Sequence, residues 1–218
     1  NAAIDSGLVD RVKNDGTMLK QIDGFGTVLE SITLGTSHKV DSLTGDDVIS
    51  GAYTTLNQNN TYGYLTTQKT DGVSFNKVWD GSAYQTYTVG KYVTTANAAI
   101  DSGLVDRAKN DGTMLKQIDG FGTVLESITV GTSHKIDSMT GLDVTSGLYT
   151  TTSQNNTYGY LTTQHTVGES YNKVWDGATL RTYTVGRYET NASYTTDSGI
   201  ADPKNAGKML RQIDGFGT

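Results

Sequence analysis

The chain has 218 residues, a formal charge of −6 and only 18% charged residues, a balance that argues against a phosphate-backbone partner such as nucleic acid. Cysteine is absent, which removes disulfides, thiol nucleophiles and thiolate metal sites together. No run reaches the ~18 apolar residues of a membrane helix, and 26 Gly, a single Pro and abundant Thr, Tyr and Val describe strands and turns rather than helices.

The stretch Asn14–Thr27 returns unchanged at Asn110–Thr123 and, shortened and varied, at Asn205–Thr218. Laying the second copy on the first puts Asn97 on Asn1 and Trp175 on Trp79, an offset of 96 residues without a gap, and 20 of the 96 positions differ. The expected units are residues 1–96, residues 97–192 and the start of a truncated third repeat at 193–218. Residue 1 opens inside a repeat with neither initiator Met nor signal-peptide pattern, so a processed chain or a window on a longer one is expected.

In chain order, residues 1–13 read as an extended segment or loop, because Gly7 and the third copy's Pro203 interrupt any helix. Thr17–Ile22, the turn dipeptide Asp23-Gly24 and Thr27–Thr33 then read as a hairpin. Gly35-Thr36 is expected to turn into Ser37–Leu43, and Thr44–Asp47 into Val48–Thr54. A polar loop follows at 57–61. The pattern restarts with Tyr62–Lys69, Asp71-Gly72, Val73–Trp79, Asp80-Gly81, Ala83–Val89, Gly90 and Lys91–Thr95. Eight short strands per repeat predict an all-β fold of two roughly 48-residue, four-stranded half-repeats. These would form a β-sandwich-like unit or a stacked β array, with a five-bladed β-propeller as the alternative. The immunoglobulin-like repeats of bacterial adhesins resemble such units in size and repetition, without a shared motif.

Differences between the copies act as an internal substitution experiment. Val73→Glu169 and Val93→Glu189 mark water-facing positions. Leu34→Val130, Val40→Ile136 and Leu43→Met139 keep an apolar group of similar volume and are the core candidates, with Phe75 and Tyr171 half-buried. In Asp71→Val167 the acid is lost while Gly168 remains, as expected of a turn that needs Gly for its backbone.

Few motifs carry chemistry. Trp79-Asp80-Gly81 and Trp175-Asp176-Gly177 are similar to the Trp-Asp dipeptide of WD40 blades, but those repeats are shorter and carry a Gly-His partner missing here. The same Trp and Asp residues are the candidate sugar platform, with Trp79 and Trp175 stacking on a ring and Asp80 and Asp176 accepting from its hydroxyls; the plainer reading is a Trp at the core edge and an Asp serving its turn. His38 and His134 lack companions at ligand spacing, so no metal site is expected. Asp41–Asp47 has the acids and Gly of a calcium turn without EF-hand spacing, and its copy changes Asp46 to Leu142. Gly24-Phe25-Gly26 is too short for a phosphate loop. Asn59, Asn155 and Asn191 match the N-glycosylation pattern.

No nucleophile, acid–base pair or cofactor motif stands out, and the expectation is a non-catalytic protein without cofactors. The reading is a structural or adhesive segment of an extracellular surface fibre, sheath or stalk. Its partners are expected to be copies of itself and glycans. A carbohydrate-binding propeller lectin is the alternative.

Overall fold

The computed structural model describes residues 21–41, 45–79, 83–103, 115–137, 141–203 and 208–214. Eight long strands form one open antiparallel meander: β1 (Glu30–Val40), β2 (Asp47–Asn59), β3 (Leu65–Trp79), β4 (Tyr84–Asn97), β5 (Glu126–Ile136), β6 (Asp143–Asn155), β7 (Leu161–Trp175) and β8 (Leu180–Ser193). A small second sheet pairs β9 (Asp197–Ala201) with β10 (Met209–Arg211). The fold is all-β, and no helix occurs among the described residues.

Each repeat holds four long strands, where eight short ones were expected. Gly35, Asp71-Gly72 and Gly90, read from the sequence as turns, lie inside β1, β3 and β4, and none of these glycines has positive φ. For Gly35 and Gly72 the reason is steric; at Gly90 a Cβ would meet Thr132 O at 3.4 Å, an ordinary contact. Reading across the strands, Gly35, Tyr53, Gly72, Tyr92, Gly131, Tyr149, Gly168 and Tyr188 are successive register partners. Each tyrosine ring lies over the glycine of the preceding strand. A Cβ on Gly35, Gly72 or Gly131 would sit 2.1 Å from the ring carbon Cζ of its tyrosine, and one on Gly168 2.2 Å away. A mid-strand glycine ordinarily weakens a sheet, and a cross-strand aromatic ring restores the missing contact. Burial, together with neighbouring Tyr188 and Tyr92, pushes the Tyr149 phenol above its ordinary pKa.

Two further rows run across all eight strands on the same face. One is threonine throughout, from Thr33 through Thr55, Thr70 and Thr94 to Thr190. Its hydroxyls pair across alternate strand boundaries: Thr55–Thr70 at 2.9 Å, Thr94–Thr129 at 2.8 Å and Thr151–Thr166 at 2.8 Å. Such pairs contribute roughly 0.2–1 kcal/mol each. The other row alternates Ser37, Gly51, Ser74, Gly90 and their repeats, and register shifts follow its serines.

Four loops at one end of the strands share one geometry. Asp23, Asn60, Asp119 and Asn156 each accept two backbone N–H bonds on a side-chain oxygen, from residues two and four further on. The glycine three residues after each, Gly26, Gly63, Gly122 or Gly159, takes φ between 83° and 85°. The turn first placed at Asp23-Gly24 is thus closed by Gly26, whose conformation favours glycine. Asn57–Asn59, expected in a loop, belong to β2.

Among the described residues no second layer covers the sheet and no pairing joins β8 to β1; the sandwich and the closed propeller expected as forms are not seen. The total surface is 13807 Å², against roughly 9,700 Å² for a compact monomer of this mass. Leu34, at 77% exposure, Val130 and Val40 are therefore surface residues, contrary to the expected core, because both faces of a lone sheet meet solvent. Leu43 and Met139 lie outside the described residues. Phe75 and Tyr171 are half-buried as expected, and Val73 and Glu169, expected to face water, are half-buried while Glu189 is exposed. Among the described residues the apolar core is small: Leu29, Ala96, Ile118, Leu125, Val144 and Ile213.

Gly131→Ala is expected to lower unfolding free energy in urea by about 1–3 kcal/mol, the usual cost of overpacking. Gly24→Ala, where a Cβ meets nothing within 4 Å, is the control and should change it by less than about 0.5 kcal/mol. Equal effects would remove the tyrosine contact as the reason for the glycine.

Candidate functional site at the seam between repeats

Where the first 96 residues give way to the second, β4 pairs directly with β5, from Gly90↔Ser133 to Thr95↔Ile128. The seam is made of the same antiparallel hydrogen bonding as the pairs inside each repeat.

The segment joining β4 to β5 packs at the ends of the strands around a polar knot. Gln117 and Glu126 are 2% and 4% exposed. The Gln117 side-chain N–H donates to Glu126 Oε1 at 3.3 Å, and Gln154 donates to Oε2 at 3.1 Å. The backbone N–H of Gly103 gives the carboxylate a third donor at 2.8 Å. The carbonyl of the Gln117 side chain accepts from Asn97 N at 3.1 Å, tying the knot to the end of β4. Gln117 also closes short backbone bonds to Leu125 and Ile100. A buried carboxylate is tolerated when donors surround it, and here they come from three separate stretches of chain.

Parts of the same device recur at the other copies. Gln21 and Gln58 donate to Glu30, and Gln212 accepts from Ser193 N at 3.1 Å beyond β8. Surface ion pairs recur as well, Lys116 with Asp101 and Arg211 with Asp197. Ile118 and Ile213 fill equivalent buried positions. Tyr64 meets Phe121 edge to face, centroids 6.3 Å apart, so a loop of one repeat touches a loop of the next.

The residues singled out by sequence are dispersed. Trp79 and Trp175 end β3 and β7, opposite Tyr84 and Leu180, and Trp175 is 47% exposed. Asp80 lies outside the described residues. Asp176 serves its turn: its carboxylate accepts from Ala178 N at 2.9 Å and Thr179 N at 2.8 Å, and it pairs with Arg181. These bonds, the one from Thr179 first, hold its pKa below the ordinary carboxylate value. The Asn59 and Asn155 amides donate to the Val28 and Val124 carbonyls at 3.0 and 2.9 Å, and Asn191 donates to Glu189.

His38 contacts Thr36 and Asp47, and His134 contacts Thr132 and Asp143. Asp41 N donates to Asp46 O at 2.8 Å, and Gly45 N to Asp41 O; residues 42–44 of that expected calcium turn lie outside the described residues. Among the described residues no three His, Asp or Glu side chains gather as a metal site would require.

Two open depressions of about 650 and 630 Å³ occupy equivalent places on the face opposite the tyrosine row. Asp71, Val73 and Val93 line the first, while Val167, Glu169 and Glu189 replace them in the second. A lining that loses one acid and gains two between copies does not describe one shared ligand. Sequence reasoning missed Gln117, Glu126 and Gln154, although the unchanged block at residues 13–33 contains the Gln21–Glu30 pair of the same knot.

No protein-family model matches the chain, nor does any curated protein or solved structure.

Glu126→Ala leaves three donors without their acceptor, of which the Gln117 amide is buried, and a buried unsatisfied group costs about 1–3 kcal/mol. The expected result is faster amide exchange across 97–103 and 115–125, with little change inside β2 and β3; uniform loss of protection would remove the local role. Asp176 gives a pH test. Because its folded pKa is depressed, its contribution is complete above the unfolded value of about 3.9 and is lost as pH falls through the lower folded value. Ala178 and Thr179 amide shifts should therefore stay flat down to about pH 4 and move below it. Movement centred above that would contradict the assignment.

Proposed function

We propose that this chain is a non-catalytic structural and adhesive segment of an extracellular fibre, sheath or stalk, built by laying repeats edge to edge into one continuous sheet. The observation that carries this is the β4–β5 seam, where one repeat continues into the next through ordinary strand pairing.

The two edge strands, without a pairing partner on their outer sides among the described residues, support the reading. β1 repeats the seam strand β5 with a single change in the paired stretch, Leu34 for Val130. Leu34 is 77% exposed on the edge against 46% for Val130 at the seam. The His38 side chain is 45% exposed and that of His134 11%. At the other edge, Val185 of β8 is 64% exposed and its seam counterpart Val89 37%. Each edge therefore presents surface that a further repeat would cover as the seam does.

Charges on β8 do not obstruct this. Arg187 and Glu189 pair back onto β7, with Glu169 and His165, and leave the strand's outer backbone available for β-addition. The Thr-, Tyr- and Asn-rich surface offers hydrogen bonds to neighbours and to glycans, which is the adhesive part of the reading.

Electron microscopy and fibre diffraction of native material test it. Four strands at about 4.8 Å predict an axial repeat near 19 Å. Long particles with that period are expected, and compact particles of 23.3 kDa would overturn the proposal.

A further inference from the structure

The sheet has two open faces, and their chemistry differs. Three rows cross all eight strands on each. On the first face the threonine, glycine–tyrosine and serine–glycine rows hold no charged residue. The second face carries Lys69, Asp71, Lys91, Glu169, Arg187 and Glu189. Comparing the copies along these rows, none of the twelve positions of the first face differs, while nine of twelve on the second do. Substitution has been accepted on the charged face and not on the neutral one.

The glycine–tyrosine contact accounts for one constant row. It does not account for the threonines, whose positions on an open strand surface accept many side chains.

We propose that the neutral face is a self-complementary interface, and that two copies of this chain pack there face to face to make a two-layered sheet. This goes beyond edge-to-edge growth and does not depend on it. Area is the first argument. Eight strands at ~4.8 Å and three rows at ~6.8 Å cover about 800 Å², the contribution of one partner to a standard protein–protein interface. The chain's surface exceeds that of a compact monomer by roughly 4,000 Å², so there is area to cover.

Charge is the second. Burying these three rows desolvates no ion, whereas burying the rows of the second face would bury the Lys69–Asp71 and Arg187–Glu169 pairs, at the cost that buried ion pairs carry. The hydroxyls are the third. Three threonine pairs are already hydrogen-bonded in the plane of the face, which lowers the penalty of removing them from water. Tyrosine rings laid over glycines keep the surface level, as close packing of sheets about 10 Å apart requires. In a two-fold interface each position serves both partners, and this matches the constancy of the face between copies.

Thr150 and Thr151 are neighbours on β6 that fall on opposite faces, so they give a matched pair of substitutions. Sedimentation equilibrium of the intact chain should give twice 23.3 kDa, and solution scattering a cross-section about 20 Å thick, two layers at the ~10 Å sheet spacing. Thr151→Lys should weaken association at least tenfold with an unchanged circular dichroism spectrum, and Thr150→Lys should leave it intact. Should Thr151→Lys fail to fold, the wild-type cross-section decides alone.

A wild-type monomer at millimolar concentration would overturn the proposal, as would a dimer lost through Thr150→Lys only. A dimer one layer thick would overturn it too while supporting edge addition, which keeps the two readings separable. A monomer retained on insoluble neutral polysaccharide and released by Thr151→Lys would reassign the face to a glycan.

Discussion

The tyrosine ring lying over a glycine is the contact on which the sheet depends. A single layer of strands has no opposing layer to pack against, so its side chains find partners only across the strands or in solvent. The alternation of Gly and Tyr along one row uses both halves of that constraint. The glycine admits the ring close to the backbone, and the ring shields a stretch of backbone that would otherwise be bare. The register of the row passes through the β4–β5 boundary, with Tyr92 opposite Gly131, while each ring rests on a glycine of its own repeat; across the boundary itself the side-chain bond is Thr94–Thr129.

The polar knot complements this at the strand ends. Hydrophobic burial is concentrated at Ile118 and Leu125, next in sequence to Gln117 and Glu126, and at their counterparts Leu29 and Ile213 in the other copies. A carboxylate with three donors sets a direction as well as an energy, since apolar contacts alone would let the joining segment slide. Gln117 specifies where that segment returns to the sheet, and its bond to Asn97 specifies where it leaves.

Strand content and the recurrence were legible in the sequence, since Thr, Tyr and Val enrichment and exact repetition are local signals. The layer number was not. Gly35, Gly72 and Gly90 read as turns because glycine ordinarily punctuates strands, and only the register of Gly35 against Tyr53 and of Gly72 against Tyr92 gives the steric reason for those two. The signal was nonetheless present: glycine and tyrosine recur at fixed offsets in both copies while Asp71 becomes Val167 beside an unchanged glycine. Leu34 and Val40 were misplaced for a related reason, because apolar substitution by apolar implies burial only when the sheet has a covered face. The Gln117–Glu126 knot joins positions whose meaning depends on Gln154 and Gly103, far off in sequence, and pattern reading does not reach that distance.

The order of the strands has a mechanical consequence. In a meander whose spatial order equals its chain order, tension applied between the two chain ends acts across the strands, so hydrogen bonds would part in succession at the outermost strand. Tension along the strands would load a whole ladder at once. A fibre extended across its strands would therefore yield in small increments of length, one hairpin after another, and act as a shock absorber; a force–extension trace lacking such steps would speak against it.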